Sequence, residues 1–406
     1  MKCVIKYEVK ELIMKIGIDK IGFYAPHLYV DMNNLAKARN VDPEKFTIGI
    51  GQEKMAVAPL TQDAVTLAAN AALEILDDAD RAAIDFVIFG TETGVDHSKA
   101  AGVYVHHLLN LQPHTRTVEV KQACFGATAG IQMAKGHIAL NPDSKVLVLA
   151  SDIARYGLRT GGEATQGAGA VAMIISKDPK ILALEEPSAY LTEDVMDFWR
   201  PVYSEYAQVD GKLSNEMYLS FFEKIWNAFK QNTGLGIGDF SAICYHLPYT
   251  KMGLKALRII YDQGTKTDKD RLLENLEYSK IYNKHVGNIY TGSLYLSFLS
   301  LLEHQSKLNA GDRIGLFSYG SGAVGEFFMG LLQTNYQTHL NTKQHQDLLA
   351  SRREVSVEEY EQIFEAKLPN DGTDFELDVD ADPAKIKLSG VGGHIRHYMN
   401  SSQVKS

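Results

Sequence analysis

Gly167-Ala-Gly-Ala-Val-Ala-Met-Ile-Ile175 returns later in the chain as Gly320-Ser-Gly-Ala-Val-Gly-Glu-Phe-Phe328, an offset of 320 − 167 = 153 residues. A second pair, Ile84-Asp-Phe-Val-Ile-Phe89 and Gly238-Asp-Phe-Ser-Ala-Ile243, is offset by 239 − 85 = 154. Two unrelated pairs that share nearly one offset predict an internal duplication. Chance likeness between short apolar strands is the competing reading. Around these pairs, apolar runs alternate with helical patterns. Residues 16–25 read as a strand that stops at Pro26, and residues 33–39 as a helix followed by a loop over 40–46. Residues 61–77 read as a helix capped by Thr61, with Ala64, Ala68, Ala71, Ala72 and Ile75 at helical spacing. Residues 86–89, 145–150 and 171–176 read as buried strands. Such alternation predicts an α/β fold with a largely parallel sheet. No low-complexity linker interrupts the chain, so the two halves, 14–178 and 179–395, are expected to pack intimately.

The ends read differently. Met14-Lys-Ile-Gly-Ile-Asp opens the first clean strand pattern, so residues 1–13 look like an extension ahead of the functional start. Lys6, Glu8, Lys10 and Glu11 break any signal-peptide core there. Late in the chain, Ser356 and Glu359 form a capping-box pattern for a helix over 356–367. Residues 375–382 alternate apolar with acidic residues like a half-exposed edge strand, residues 384–397 close the core, and a polar tail is expected over 396–406.

The 406 residues are 45% hydrophobic and 22% charged, an ordinary globular balance. A net charge of −9 speaks against nucleic acid as a partner. The longest apolar run, 289–302, is interrupted by Thr291, Gly292 and several serines and is too short for a membrane span. Three cysteines at unrelated spacings give neither a disulfide framework nor a zinc pattern, which suits a reducing cytoplasm. His106-His107 and Asp96-His97 do not form a metal set, because adjacent histidines do not share a helix face. No metal and no cofactor is expected.

Chemistry concentrates where strands end. Val118-Glu-Val-Lys-Gln-Ala-Cys124 is a β-favouring stretch that meets the small-residue start of a helix. A thiol at a helix N-terminus faces unpaired N–H groups and the positive end of the dipole, which favours a nucleophilic thiolate. The alternative is a small buried hydrophobe. Glu92 follows the 86–89 strand within Gly90-Thr-Glu-Thr-Gly94, where a dry crevice would raise its pKa into the range of a base. A solvated loop glutamate is its alternative. His246 ends the apolar run before Pro248, and 246 − 92 = 154 places it opposite Glu92 in the duplication. A satisfied buried histidine is the competing reading. Cys244 shares its strand face but reads as structural. Lys251 and Lys255, four apart, would share a helix face toward a phosphate or an amide, or toward water. Asn288 in Gly287-Asn-Ile-Tyr-Thr could offer an amide, and Ser321 in Tyr319-Gly-Ser-Gly a backbone N–H for an oxyanion. Gly287-Asn288 is also the candidate counterpart of the Cys124 turn, though its offset of 287 − 124 = 163 requires an insertion.

These motifs resemble hydroxymethylglutaryl-CoA synthase of the bacterial type, in the thiolase superfamily. The resemblance runs from about Met14 to the last strands through Asn40-Val-Asp-Pro-Glu-Lys-Phe-Thr-Ile-Gly-Ile-Gly-Gln, Gly90-Thr-Glu-Thr-Gly, Gln122-Ala-Cys-Phe-Gly, Gly211-Lys-Leu-Ser, His246-Leu-Pro-Tyr-Thr-Lys, Gly287-Asn-Ile-Tyr-Thr and Phe317-Ser-Tyr-Gly-Ser-Gly, in the family's order. It implies a thiolase-like α/β fold with duplicated halves in five layers, α/β/α/β/α, and a homodimer. It implies condensation of acetyl-CoA with acetoacetyl-CoA in the mevalonate route to isoprenoids. Cys124 would be the acylated nucleophile, Glu92 the acid/base, and His246 the group that handles acetoacetyl-CoA. Substrate contacts would fall on Asp42, Pro43, Lys45, Tyr156, Thr165, Ser214, Lys251, Lys255, Asn288 and Ser321. Some members carry asparagine where this chain has Arg159, so no contact is carried over there. A β-ketoacyl synthase or thiolase-like enzyme on the same fold is the nearest rival, and Glu92 discriminates against decarboxylating synthases. A silent acyl-CoA-binding protein and a cysteine hydrolase are more distant rivals.

Overall fold

The computed structural model describes residues 14–402; the extension 1–13 and residues 403–406 of the expected tail lie outside the described residues. Nine strands form one ladder: β1 (Ile16–Tyr24), β2 (Ile84–Gly90), β3 (Arg116–Val120), β4 (Lys145–Ala154), β5 (Gly167–Lys177), β6 (Leu182–Thr192), β7 (Ala242–Tyr245), β8 (Arg313–Gly320) and β9 (Val324–Leu332). Their spatial order is β7-β8-β9-β6-β1-β5-β4-β2-β3. Taken from the middle outward, the first half runs β1-β5-β4-β2-β3 and the second runs β6-β9-β8-β7. The orientations repeat as well. β4 pairs parallel with β2 and antiparallel with β5, and β8 pairs parallel with β7 and antiparallel with β9. β1 and β6 meet antiparallel over a short stretch, Gly17 opposite Ala183.

The sheet is mixed, which corrects the expectation of a largely parallel one. Only β2/β3, β2/β4 and β7/β8 are parallel. The reason is the connections. β5 returns from β4 through residues 155–166, and β9 from β8 through 321–323, neither with a crossover helix. Connections that return directly give antiparallel neighbours.

Strand alternation builds the layers. Val87 and Phe89 of β2 face Gly102 of α2 (Ala101–Leu108), whereas Ile88 and Gly90 face Gly130 and Gly126 of α3 (Gly126–Leu140). α1 (Ala64–Leu73) packs beside α2, over β4 and β5. In the second half, Ile243, Tyr245, Phe317 and Phe327 join a core with Phe221, Phe222, Ile225 and Trp226 of α4 (Gly211–Thr233). The alternate residues Cys244, Leu316 and Phe328 turn into the larger core that α6 (Ser293–His304) enters with Leu294, Phe298 and Leu301. The order is therefore α1/α2, first strands, α3/α6, second strands, α4: five layers. Burial of each large α4 side chain contributes roughly 2 kcal/mol.

Several local expectations change. Thr61 does not cap a helix. Asp63 caps α1 in a reciprocal box with Thr66, while the Thr61 hydroxyl donates to buried Asp382 at 2.5 Å. The 61–77 pattern then stops at Leu73, and a separate short helix spans Asp78–Ala83. The 40–46 loop runs into a widened helical segment, Lys45–Ile50. The late helix is Val357–Glu365, capped by Ser356, which accepts from the Glu359 N–H. Only Phe375–Glu376 of the expected edge strand pairs, because Asp382 turns inward to accept from Thr61 and Gln62. The tail expected from 396 is instead a strand to Asn400, paired with Ile386–Gly392.

Candidate active site

The Cys124 turn exists because glycines let α3 press against the end of β2. A Cβ on Gly90 would lie 2.6 Å from the Ala127 nitrogen, and one on Gly126 would lie 2.9 Å from the Val120 carbonyl oxygen. Without those side chains the helix start abuts the strand end, and Cys124 comes beside the Glu92 turn. Ala123 takes a φ of +41°, a conformation that costs an alanine about 1 kcal/mol or more. From across the site the Gly320-Ser-Gly turn closes in. The Gln122 amide donates to the Ser321 carbonyl at 3.1 Å, and a Cβ on Gly320 would lie 2.6 Å from the Gln122 carbonyl oxygen. Asp197 anchors that turn, accepting from the Tyr319 hydroxyl at 3.0 Å and the Gly322 N–H at 2.9 Å.

Cys124 is half-buried, and its thiol does not ionise easily. Burial pushes its pKa well up, and the negative charges of Glu92, Asp152 and Asp197 add to the effect. This corrects the expectation of a resting thiolate. Cys124 stands two residues ahead of α3, whose Ala127 N–H is already taken by the Thr291 hydroxyl at 2.8 Å. Desolvation and three carboxylates outweigh what remains of the dipole.

Glu92 lies just past β2, and its Oε1 is buried with no hydrogen-bond partner among the described residues. Burial raises its pKa well above the carboxylate range, Asp152 raises it further, and Arg200 partly opposes this. Asp152 ends the apolar run of β4. Its Oδ1 accepts from the Glu92 N–H at 2.9 Å, the Thr93 N–H at 3.1 Å and the hydroxyls of Thr91 and Thr93, both at 2.8 Å. Burial nevertheless pushes Asp152 up to about 7. Sequence reasoning passed over Asp152; the available signal was one acid inside the apolar strand 146–154.

His246 follows β7 as Glu92 follows β2, and these two strands hold the same place in the repeated order. Its Nδ1 is buried without a partner, and burial lowers its pKa to about 3, so it is neutral at pH 7. Asn288 precedes α6 much as Cys124 precedes α3. Gly167 and Gly287 meet there in an isolated bridge, and Gly287 has a φ of +91°. The Asn288 Oδ1 accepts from the Tyr290 N–H at 2.9 Å and the Ser293 hydroxyl at 3.0 Å. Its amide nitrogen is thereby aimed at the Tyr156 hydroxyl, 3.2 Å away.

A cavity of about 600 Å³ brings together Cys124, Tyr156, Thr165, Ser214, His246, Asn288 and Ser321. Glu92 does not line it. It opens into a neighbouring cavity of about 300 Å³. The other expected contacts lie outside both cavities. Asp42 and Lys45 are exposed and Pro43 is half-buried in the segment leading to residue 50. α5 (Lys251–Ile260) carries both predicted lysines: Lys251 donates to the Ile48 carbonyl at 3.2 Å, and Lys255 to the hydroxyl of cavity-lining Tyr249 at 2.8 Å. The exposed Arg159 pairs with Glu361 at 3.1 Å. Cys244 is buried in the strand. Tyr290, Phe198 and Tyr319 also line the main cavity, and sequence reasoning did not single them out. No group of histidine, cysteine and carboxylate side chains able to hold a metal occurs among the described residues.

A cysteine turn and a desolvated glutamate on a duplicated five-layer α/β/α/β/α frame define an acyl-transferring condensing enzyme of the thiolase-like fold. The family description "hydroxymethylglutaryl-coenzyme A synthase N terminal" matches residues 13–180, and its C-terminal companion matches 183–278 and 264–373. The chain belongs to the hydroxymethylglutaryl-CoA synthase family. It is 53% identical to the hydroxymethylglutaryl-CoA synthase of Enterococcus faecalis over 387 residues, 95% of this chain and all of that one. A solved structure of HMG-CoA synthase complexed with CoA superposes with a TM-score of 0.93 at 45% identity, over 95% of this chain and 100% of the other. MvaS in complex with 3-hydroxy-3-methylglutaryl coenzyme A gives 0.87 at 34% identity, over 95% and 99%.

Proposed function

We propose that this enzyme condenses acetyl-CoA with acetoacetyl-CoA and water to 3-hydroxy-3-methylglutaryl-CoA and CoA, through an acetyl-Cys124 intermediate, in the mevalonate pathway. The observation that carries the reading is the meeting of Cys124, His246 and Asn288 on one cavity, with a desolvated Glu92 behind the cysteine.

Cys124 Sγ adds to the acetyl-CoA carbonyl, the C–S bond to CoA breaks, and CoA leaves as a thiol. The proton that leaves the Cys124 thiol ends on the departing CoA sulfur, so thiol and thioester exchange with no net proton released. Acetylation removes the thiol, so the Cys124 sulfur no longer competes for charge with Glu92. As a carboxylate, Glu92 is then a stronger base than an ordinary glutamate, because burial opposes its ionisation. It removes a methyl proton, and the N–H groups of Cys124 and Ser321 hold the enolate oxygen. The enolate carbon adds to the ketone of acetoacetyl-CoA. The Asn288 amide and the single N–H of neutral His246 hydrogen-bond to that oxygen, and the proton that Glu92 took from the methyl group is returned to it as the tertiary hydroxyl. Water then cleaves the Cys124 thioester. The cycle is ping-pong and uses no cofactor beyond its CoA-thioester substrates.

Tyr156, Thr165 and Ser214 shape the arm of the cavity, and Asp42, Pro43, Lys45, Lys251 and Lys255 guide CoA outside it. We read the chain as two related halves, 14–178 and 179–395, working as a homodimer in the cytoplasm. The outer edge of β3, unpaired among the described residues, supports the dimer, since an open edge favours pairing with a second copy. No helix among the described residues is long and apolar enough to cross a membrane. The test is mass spectrometry of the products formed from both thioesters. A six-carbon hydroxyacyl-CoA is expected; free acetate as the sole product would overturn the reading.

A further inference from the structure

Glu92 sits at the boundary between two cavities. The larger holds Cys124, His246 and Asn288; the smaller, about 300 Å³, holds Glu92 together with Arg155, Arg200 and Arg396. Phe198, Ala207 and Tyr290 line both, so they form the partition. The partition is largely aromatic: Phe198 and Tyr290 meet edge to face at 5.9 Å, and Tyr156 braces both from the main cavity at 6.0 and 6.2 Å. On the far side the wall is charged. Arg396 pairs with Asp63 at 3.1 Å, Arg155 stacks on Phe364, and exposed Arg200 has no hydrogen bond or ion pair among the described residues. A polar, charged cavity of this size holds water readily.

The chemistry requires such a second opening. While the condensed product is still esterified to Cys124, its CoA arm occupies the larger cavity, which has the size of a small-ligand site. The next step consumes water. The water oxygen adds to the thioester carbonyl carbon, the C–S bond breaks, Cys124 regains a proton as thiol, and the product leaves as a carboxylate with one net proton released. A reactant that arrives after the main cavity is filled needs another route. Glu92, with an unpartnered buried Oε1, stands where that route meets Cys124.

We infer that the arginine-lined cavity is the water port of the hydrolytic step, with Phe198, Ala207 and Tyr290 as its inner wall and Glu92 as the group that receives the entering water and returns the released proton to it. This rests on the roles proposed above for Cys124 and Glu92.

Val95 and Ile153 line the smaller cavity and not the larger, Ile153 also borders a crevice of about 20 Å³, and neither belongs to the catalytic set. V95F would fill the port from one side and I153F from the other. Each variant is given acetyl-CoA alone and then both thioesters, with intact mass on Cys124, steady-state turnover and a thermal melt to verify folding. With both thioesters, the adduct carrying acetyl plus acetoacetyl-CoA should accumulate and turnover should fall about tenfold. Slow hydrolysis of acetyl-CoA alone should stay within about twofold, because the main cavity then empties between turnovers. Wild-type turnover without adduct in either folded variant would overturn the port, and so would an equal fall in both reactions. Failure of the wild-type enzyme to form any acetyl adduct on Cys124 would instead remove the underlying reading.

Discussion

Two buried clusters of acids treat charge in opposite ways. Beneath the sheet, His345 and Glu303 are both fully buried, and the imidazole Nδ1 meets the Glu303 carboxylate at 2.7 Å. Its Nε2 faces Glu74 at 3.5 Å, and the Tyr282 hydroxyl donates to the other oxygen of Glu303. The two carboxylates push His345 up to about 9 against the effect of burial. At the candidate site, Asp152 is buried and Glu92 is half-buried with its Oε1 enclosed, neither has a cation within ion-pairing distance among the described residues, and His246 nearby is held neutral. The first cluster spends its charges on holding elements together. The second leaves them uncompensated, so that protons sit near the point of transfer at neutral pH.

The contrast breaks most sharply at Glu92. E92Q should lower condensation about 10³-fold, from the usual value of a general base, while leaving Cys124 acetylation intact. Its denaturation midpoint should equal or exceed that of wild type, because an unpaired buried acid is removed; a clear loss of stability would move Glu92 into the structural class. E303Q should do the reverse. Chemical denaturation should show a loss of about 3 kcal/mol, the cost of stripping one partner from a buried pair, with kcat of the folded enzyme unchanged within about twofold. D152N should give a smaller and more specific effect. Asp152 raises the Glu92 pKa, so its neutral replacement should carry the acid limb of the kcat–pH profile to lower pH. An unmoved limb would deny the coupling.

pH separates the clusters most gently. If Glu92 is the base, as proposed, it works as a carboxylate with a raised pKa, so activity should fall on acidification at a pH above that expected for an ordinary glutamate. His345 has a folded-state pKa above its unfolded value of 6.5. Its contribution to stability should be full below pH 6.5 and lost as pH rises through about 9. Denaturant titrations at pH 6.5 and 9.5 should show that loss in wild type and not in H345Q.

The sequence exposed the candidate side chains that follow strands. Glu92 and His246 were legible because an apolar run stops just before each and their separation matches the repeat. Cys124 was legible as a turn, but its ionisation was not, since the opposing charges of Asp152 and Asp197 arrive from strands and loops distant in sequence. Strand direction was illegible for a similar reason. An apolar run such as 167–177 reads alike in either direction, and only the connection before it, which holds a three-residue helical turn but no crossover helix, sets β5 antiparallel. The partition formed by Phe198, Ala207 and Tyr290 joins a two-residue strand, a loop position and the start of a three-residue helical turn, elements too short to carry a periodic signal.

On the proposed mechanism, Glu92 abstracts the methyl proton of an acetyl group held on Cys124. The direct measurement is intact mass of E92Q after acetyl-CoA, followed by a chase with acetoacetyl-CoA. In E92Q an acetyl adduct on Cys124 should survive the chase, beside a wild-type adduct that is discharged as six-carbon product. Discharge of the E92Q adduct at the wild-type rate would contradict it.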